Sequence, residues 1–297
     1  MEENDMRFLT IGNDSISVEI DEVSATLHSI KKDGVEYLWQ GDEKYWKFQD
    51  KNLFPYIGRM TDEKYICNGK EYSMKLHGFC GDVAFLAENV SETSVDFVIR
   101  DSEYTRSIYP FCFELRITYS VEGNKLLKKC AVTNRGTEEM YFGIGSHPGF
   151  NVPIGGEGTF EDWYFEFDEE STPIRIGFDQ TNYRLNDENL PYALEERKRL
   201  RLEHAKFDLD AIVLQGMPKA VTLRSDTSAH AVRAEYPDMD FLGLWHKPHS
   251  DAPYVCIEPW KSLPSHSGYV EDITRQEHIV HLPAGQEYTN TISFKII

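Results

Sequence analysis

The feature of this sequence that most constrains its fold is a hydrophobic pattern with a period of two. In residues 113–121, apolar side chains at every second position alternate with Glu, Arg and Thr. Such alternation is typical of strands that bury one face, because successive side chains point to opposite sides of a sheet. The Glu-Gly-Asn sequence at 122–124 indicates a turn, and residues 125–133 resume the strand pattern. This region therefore predicts a β-hairpin.

Similar short segments continue to the end of the chain, and Gly, Pro, Asn or Asp separates most of them. Their spacing, roughly 8–12 residues, predicts a β-sandwich or barrel. The strand-like segments are residues 16–20, 140–144, 163–167, 211–215, 220–224, 232–236, 241–245, 254–257 and 291–297. No linker or internal repeat divides the chain, so we expect one large antiparallel all-β domain over residues 1–297.

Two segments of this domain depart from the strand pattern. Residues 168–195 are polar, and because strand patterns resume after them we interpret them as a long connection. Residues 192–204 are rich in Ala, Leu, Glu, Arg and Lys, which favour helix. This composition predicts one short helix in an otherwise all-β chain.

The charge of the chain excludes whole classes of partner. Lys and Arg total 31 against 50 Asp and Glu, a formal net charge of -19. A field of that sign repels phosphate backbones and anionic lipid headgroups. We therefore expect neither nucleic-acid binding nor membrane attachment, although a local basic pocket for one small phosphate remains compatible with the sequence.

Compartment is indicated by the cysteines and the N-terminus. The five cysteines are odd in number, scattered, and form no C-x-x-C pair, which argues against a disulfide framework and a zinc ribbon. The sequence MEENDMRFLT lacks the basic and apolar regions of a signal peptide. No run of 18 apolar residues predicts a transmembrane helix. A reducing cytoplasm fits these observations best.

Several common catalytic signatures are absent from the sequence. We find no G-x-G-x-x-G after a strand, no P-loop, no G-x-S-x-G elbow and no H-E-x-x-H. The pairs His246/His249 and His278/His281 have no third ligand nearby, so neither predicts a metal site. We accordingly expect no metal and no cofactor.

Ionisable residues beside Gly, Pro and aromatic residues mark the candidate site. His147 follows an apolar strand and precedes Pro-Gly, so it either caps a sharp turn or acts as a general acid or base. Glu258 ends a strand that reads as buried on both faces, with Pro259 expected to end it. A carboxylate there either forms an ion pair with an arginine or serves chemistry, because its burial is otherwise costly.

Further candidates surround these two. Arg59 ends an apolar run and either forms a salt bridge or donates two hydrogen bonds to sugar hydroxyls or a carboxylate. His77 is either a hydrogen-bonded loop histidine or a ligand-binding one. Sugar C–H faces pack on aromatic rings, although core packing is the alternative for each ring. The aromatic candidates for such packing are Phe79, Phe150, Trp245 and Trp260.

Together these motifs, in their order and spacing, resemble the aldose 1-epimerase (mutarotase) family, particularly its shorter mutarotase-like branch from bacterial sugar operons. The matching motifs are IGR at 57–59, LHGF at 76–79, SHPGFN at 146–151, DLDA at 208–211 and IEPW at 257–260. The resemblance spans nearly the whole chain. It implies a large β-supersandwich, the galactose mutarotase-like fold, with a shallow sugar site.

The resemblance also implies roles for individual residues. His147 matches the general acid that protonates the ring oxygen, and Glu258 matches the general base that takes the anomeric proton. Arg59 and His77 match residues that hold the sugar near its ring oxygen. Asp210 matches the carboxylate that binds distal hydroxyls, with Asp208 as the alternative. Mutarotation needs one proton donor and one acceptor and no cofactor.

The implied partner is a small-molecule sugar, an aldohexose or a derivative, and we expect a monomer or homodimer. A hexose 6-phosphate is an alternative substrate, for which Lys247, Lys261 and Arg224 are the basic candidates. A sugar-binding sensor without turnover is a second alternative, against which the presence of both His147 and Glu258 argues. Hydrolysis by paired carboxylates is a third, but no clear acid pair supports it.

Overall fold

The structure, a computed structural model, describes residues 8–297. Residues 1–7, which include most of the acidic N-terminal segment discussed above, lie outside the described residues. Within the described range the chain is built mainly of antiparallel strands, so the all-β prediction is confirmed. No helix in this range combines the length and apolar character that a membrane crossing requires.

The strands of the first half of the chain are β1 (Phe8–Gly12), β2 (Ser17–Asp21), β3 (Leu27–Lys32), β4 (Val35–Glu36), β5 (Asn52–Leu53), β6 (Lys64–Cys67), β7 (Lys70–Ser73), β8 (Leu86–Glu88), β9 (Ser94–Arg100), β10 (Phe113–Glu122), β11 (Lys125–Asn134), β12 (Met140–Phe142), β13 (Gly145–Ser146) and β14 (Gly149–Asn151). Those of the second half are β15 (Trp163–Phe167), β16 (Ile174–Arg175), β17 (Leu190–Pro191), β18 (Arg199–Arg201), β19 (Ile212–Gln215), β20 (Ala220–Ser225), β21 (Ala231–Glu235), β22 (Phe241–Trp245), β23 (Tyr254–Trp260), β24 (Val280–Leu282) and β25 (Glu287–Ile296).

Helical structure is short. The α-helix α1 (Glu103–Ile108) begins after Ser102, whose hydroxyl accepts a hydrogen bond from the backbone N–H of Thr105. The remaining helical segments are single 3₁₀ turns at Thr61–Glu63, Cys80–Asp82, Ile154–Gly156, Phe160–Asp162, His204–Phe207 and Ile273–Arg275.

The larger sheet contains nine strands in the order β18-β15-β20-β21-β25-β11-β10-β9-β8. The predicted hairpin is confirmed, because β10 and β11 pair along their whole lengths. On β10, Leu115, Ile117 and Tyr119 are buried at every second position, as the sequence pattern predicts. The period of two therefore reports which face of this sheet meets the core.

The second sheet has the order β17-β16-β19-β22-β23-β13-β5, and β14 also pairs with β23. Val255 and Ile257 of β23 enter a core that also contains Ile117 and Phe294 of the nine-stranded sheet. The two sheets therefore pack face to face as a sandwich, as predicted. Alternate residues of β23 point to the opposite face, where the candidate site lies. Small sheets β1-β2-β3-β4, β6-β7 and β12-β24 complete the structure.

The helix predicted at 192–204 is wrong. This region contains β18, which pairs with β15 and forms one edge of the larger sheet. Leu200 is buried, whereas Arg199 forms an ion pair with Glu166 and Arg201 forms one with Glu195. The helical composition reflected intrinsic propensity, but an available sheet edge and a buried Leu200 favour the extended form.

The predicted end of the strand before Pro259 is also wrong, since β23 continues to Trp260. Pro259 lacks a backbone N–H and would normally interrupt a central strand. It is tolerated here because β13 and β14 pair with β23 on either side of a gap in the ladder. That gap is also where the candidate site is built.

Candidate active site

A cavity of about 320 Å³ opens on the face of the second sheet that points away from the sandwich core. All five sequence-predicted site residues line it: Arg59, His77, His147, Asp210 and Glu258. They come from four separate loops and one strand, so the fold brings together positions up to 199 residues apart in sequence.

His147 lies opposite Glu258 because of strand register. Gly149 pairs with Cys256, and Gly145 pairs with Trp260, so the register is the same on both sides of the gap between β13 and β14. His147 is therefore the partner of Glu258. The Ile257 N–H donates to the Pro148 carbonyl, so Pro148 and Ile257 form a hydrogen-bonded pair. Hydrogen-bonded and non-hydrogen-bonded pairs alternate along the ladder, so His147 and Glu258 form a non-hydrogen-bonded pair. Side chains approach most closely at such pairs.

The two side chains nearly touch at the floor of the cavity. Nε2 of His147 is 3.4 Å from Oε1 of Glu258, and the two residues are only 7% and 1% exposed. The His147 ring stacks on Trp46 at 4.9 Å between centroids and meets the edge of Trp245 at 5.6 Å. Gly243 lies opposite Glu258 on β22, where a Cβ would come within 3.2 Å of the Glu258 Cβ and of the Trp260 ring. The ring and the carboxylate are thus held in place by packing.

Burial shifts the protonation of this pair. Desolvation, helped by the positive charge of Lys51, lowers the pKa of His147 to about 3. Desolvation and the negative charges of Asp210 and Asp50 raise the pKa of Glu258 well above its ordinary value. The pair therefore holds one proton over a wide pH range, and burial favours the form in which both groups are neutral.

His77 is held in a fixed tautomer at the cavity wall. Its Nδ1 accepts a hydrogen bond of 3.1 Å from the Gly58 N–H, so its proton is on Nε2. Burial and the neighbouring His147 lower its pKa well below the usual value, which keeps it a neutral donor. The next residue, Gly78, has φ +81, and a Cβ there would collide with the Phe54 carbonyl. A glycine is required for this turn.

Arg59 and Asp210 form the opposite polar wall. Nη1 of Arg59 is 3.9 Å from Oδ2 of Asp210, and its guanidinium lies 5.0 Å from the centre of the Tyr183 ring. Oδ1 of Asp210 accepts a hydrogen bond of 2.7 Å from Nε1 of Trp245. Asp208, the alternative, instead binds His249 through the backbone N–H at 2.9 Å and Nδ1 at 3.3 Å. Asp210 is the one of the two that faces the cavity.

A buried ion pair lies behind His147. Lys128 is fully buried, its Nζ donates to Oγ of Ser146 at 2.8 Å, and it lies 3.9 Å from Oδ2 of Asp50. Asp50 also accepts backbone N–H bonds from Lys51 at 2.7 Å and His147 at 3.4 Å. This network fixes the main chain that carries His147.

Sequence reasoning only partly identified the aromatic lining. Trp245 and Trp260 line the cavity as expected, but Phe79 and Phe150 lie in the hydrophobic core and not at the site. The missed aromatic residues come from two loops, and the available signal was their aromatic character within polar segments. They are Trp46, Phe48, Phe178 and Tyr183.

The basic residues expected to contact a phosphate lie elsewhere. Lys261 forms an ion pair with Asp240 at 2.8 Å, and Arg224 forms one with Glu166 at 3.3 Å. Nζ of Lys247 donates to a backbone carbonyl at 2.8 Å. None of these three basic residues lines the cavity, whereas Lys51 does.

One donor set among residues 8–297 is close enough to bind a metal ion. His147, Cys256 and Glu258 each place a ligand atom within 4.8 Å of the others. Burial and the charge of Glu258 raise the pKa of the Cys256 thiol well above its ordinary value, so the thiolate that binds metals is disfavoured. Nδ1 of His246 lies 2.7 Å from the Lys247 carbonyl oxygen, and its Nε2 lies 3.2 Å from Nδ1 of His204.

Comparison with known proteins gives a consistent result. The family model for aldose 1-epimerase matches residues 7–295. The plasmid form of protein LacX from Lactococcus lactis subsp. lactis is 35% identical over 264 residues, which cover 86% of this chain and 88% of that protein.

Solved structures are similar over the same extent. A galactose mutarotase related enzyme from Lactobacillus acidophilus has a TM-score of 0.93 and 30% identity, covering 98% of this chain and 97% of its own. A galactose mutarotase-like protein from Lactobacillus casei has a TM-score of 0.93 and 28% identity, covering 98% and 100%.

Proposed function

Because this chain belongs to the aldose 1-epimerase family, we propose that it interconverts the α and β anomers of an aldohexose or a hexose derivative. The observation that carries the proposal is the 3.4 Å approach of His147 to Glu258 at the floor of a cavity of sugar size. One side chain of the pair donates a proton while the other accepts one, which is what anomer exchange requires.

Ring opening uses the ionic form of the pair. The Glu258 carboxylate takes the proton of the anomeric hydroxyl, and the electron pair of that O–H bond forms the carbonyl at C1. The bond between C1 and the ring oxygen breaks, and protonated His147 gives its proton to the ring oxygen. The open-chain aldehyde then faces a neutral His147 and a protonated Glu258.

Ring closure reverses these transfers after rotation about the C1–C2 bond. Glu258 returns a proton to the carbonyl oxygen, and His147 takes the proton of the C5 hydroxyl as it attacks C1. Burial favours the neutral pair, which is the form that closes the ring. The ionic form for opening is reached by moving one proton between the two side chains, whose nearest atoms are 3.4 Å apart.

The surrounding residues supply orientation. We assign His77 to donate a hydrogen bond from Nε2 to the sugar near its ring oxygen. Arg59 binds the sugar in the same region. Asp210 accepts hydrogen bonds from distal hydroxyls, with its position set by Trp245. The rings of Trp245 and Trp260 offer apolar surface to the sugar C–H groups.

Polarimetry of freshly dissolved α-D-glucose and α-D-galactose tests this function. We expect the wild type to accelerate the approach to anomeric equilibrium and Glu258→Gln to lose that acceleration. Glu122→Gln, the same change at an exposed hairpin position on the other sheet, is the matched control. Equal activity of Glu258→Gln and wild type would overturn the catalytic assignment.

A further inference from the structure

Two lysines gather around one aromatic ring at the entrance of the cavity. Nζ of Lys51 lies 3.9 Å from the centroid of Phe48, and Nζ of Lys47 lies 5.3 Å from the same centroid. Lys51 and Phe48 both line the cavity. Two positive charges are thus brought together beside the site described above.

Neither charge is neutralised by an acid. In the part of the chain that the structure describes, no carboxylate oxygen lies within 4.0 Å of either Nζ, even though the chain has a net charge of -19. Asp82 is engaged by Lys75 at 2.8 Å, and Asp50 by backbone N–H groups and the buried Lys128. Two neighbouring like charges without a counter-ion are unfavourable unless an anion joins them.

Lys51 lies on the same side of the site as His147. Its neighbour Asn52 pairs with Ser146, and the backbone N–H groups of Lys51 and His147 both donate to Oδ1 of Asp50. In agreement with this placement, the charge of Lys51 lowers the pKa of His147 and of His77. His147 serves the ring oxygen, and Glu258 serves the hydroxyl on C1. The ring oxygen is bonded to C1 and C5, so the group beside it on the side away from Glu258 is C6, carried by C5.

We propose that Lys51, with Lys47 at the rim, binds a negatively charged group on C6 of the substrate, a phosphate ester or a carboxylate. This inference rests on the proposed function, because the role of His147 places C6. The ammonium of Lys51 forms a charge-assisted hydrogen bond to the anion, and the Phe48 ring holds the lysine at the entrance. The substrate class is then an aldose 6-phosphate or a hexuronic acid.

Exchange NMR on equilibrated sugars labelled with ¹³C at C1 measures anomer exchange without pure anomers. The substrates are D-glucose and D-galactose, their 6-phosphates, and D-glucuronate and D-galacturonate. We expect at least one anionic pair to exchange faster than the neutral sugars, and comparing phosphates with uronates identifies the anion. Faster exchange of the neutral sugars than of both anionic classes would overturn the inference.

Variants of Lys51 test whether this residue causes the preference for anionic sugars. Lys51→Met should lower the ratio of kcat/KM for the anionic sugar to that for the neutral sugar by about 10- to 100-fold, the range of a charge-assisted hydrogen bond. Lys51→Arg should retain most of the ratio. Lys70 also lies over an aromatic ring, with its Nζ 4.9 Å from the centroid of Tyr72, but it does not line the cavity. Lys70→Met should therefore leave the ratio unchanged. An unchanged ratio in Lys51→Met would refute the role of Lys51.

Calorimetric binding separates this inference from the proposed function. In a Glu258→Gln background, D-glucose 6-phosphate or D-glucuronate should bind more tightly than D-glucose, and adding Lys51→Met should remove the difference. If no sugar exchanges anomers but this difference holds, the catalytic proposal fails and anion recognition stands. If anomers exchange but the difference in binding is absent, the inference of anion recognition fails and the catalytic proposal stands.

Discussion

His147 and Glu258 occupy one non-hydrogen-bonded position of an antiparallel pairing, and their reactive atoms, Nε2 and Oε1, are 3.4 Å apart. The pairing of β13 and β14 with β23 fixes this distance, so no loop has to move to assemble the pair. Side chains at paired positions project from the same face of a sheet, so His147 and Glu258 both face the cavity. The geometry of the proposed catalytic pair is therefore a consequence of sheet register.

Replacing the histidine should abolish turnover and spare the fold. We expect His147→Asn to lower kcat by about 10²- to 10⁴-fold, because the group that protonates the ring oxygen is removed and His77, held as a neutral hydrogen-bond donor, does not replace it. Circular dichroism should be unchanged. His281→Asn, at an exposed histidine that pairs with Glu139, is the control. Turnover by His147→Asn within about twofold of wild type would contradict the assignment.

The pH dependence of kcat/KM should differ from that of an enzyme whose catalytic histidine is exposed. The productive pair holds one proton, gains a second only as pH falls through the His147 pKa of about 3, and loses its proton as pH rises through the raised pKa of Glu258. We expect kcat/KM, corrected for spontaneous mutarotation, to stay within about twofold between pH 7 and pH 5. A fall centred near pH 6.5 would show that His147 titrates as an ordinary histidine.

Removing the buried acid should stabilise the protein. Because the folded-state pKa of Glu258 is raised, its contribution to stability is largest below its ordinary pKa of 4.5 and is lost as pH rises through the folded-state pKa. Glu258→Gln should therefore raise the unfolding midpoint at pH 7.5, by roughly 2 °C or more, and less at pH 4.5. Calorimetric scans at both pH values test this. A lower midpoint at pH 7.5 would show that the carboxylate is stabilising.

Much of the fold was predictable because alternation reports burial directly. The β10–β11 hairpin follows from its period of two and its turn. His147 and Glu258, the proposed catalytic pair, could be selected from the sequence because each adjoins a proline at the end of an apolar run. The continuation of β23 beyond Glu258 was not predictable, because a proline normally indicates the end of a strand. The pairing on both sides of the gap allows β23 to continue through Pro259.

The missed features depend on tertiary context. Lys51 and Trp46 belong to a loop whose path no periodicity encodes. Lys128 occupies an inward-facing position of β11, where its charge is acceptable only because Asp50 and Ser146 meet it. Leu200 shows the same limit, because local composition favoured a helix and the edge of the sheet determined a strand.

Breaking the buried ion pair should weaken both the fold and the site. Lys128→Met leaves the Asp50 carboxylate buried without its cation, which should cost about 3–5 kcal/mol of unfolding free energy. Adding Asp50→Asn should recover part of this loss, because the uncompensated charge is removed. Urea denaturation of the two variants measures both effects. A loss under about 1 kcal/mol in Lys128→Met would show that water enters and solvates Asp50.

Trp245 should control substrate affinity through a single hydrogen bond. Its Nε1 donates to Oδ1 of Asp210 at 2.7 Å, while Oδ2 lies 3.9 Å from Arg59. Trp245→Phe keeps an aromatic ring but removes the donor, so Asp210 is free to turn toward Arg59 and away from the sugar. We expect KM to rise about 5- to 20-fold, the range of one hydrogen bond to a charged group, with kcat changing less.

A double-mutant cycle with Asp210→Asn separates this effect from a loss of ring packing. If Trp245 acts through Asp210, the rise in KM from Trp245→Phe should largely disappear once Asp210 is replaced, because the two changes remove the same interaction. Additive effects on KM would instead show that the Trp245 ring acts on the sugar directly. The cycle is measured with the best substrate of the exchange experiments, so that KM is defined for all four proteins.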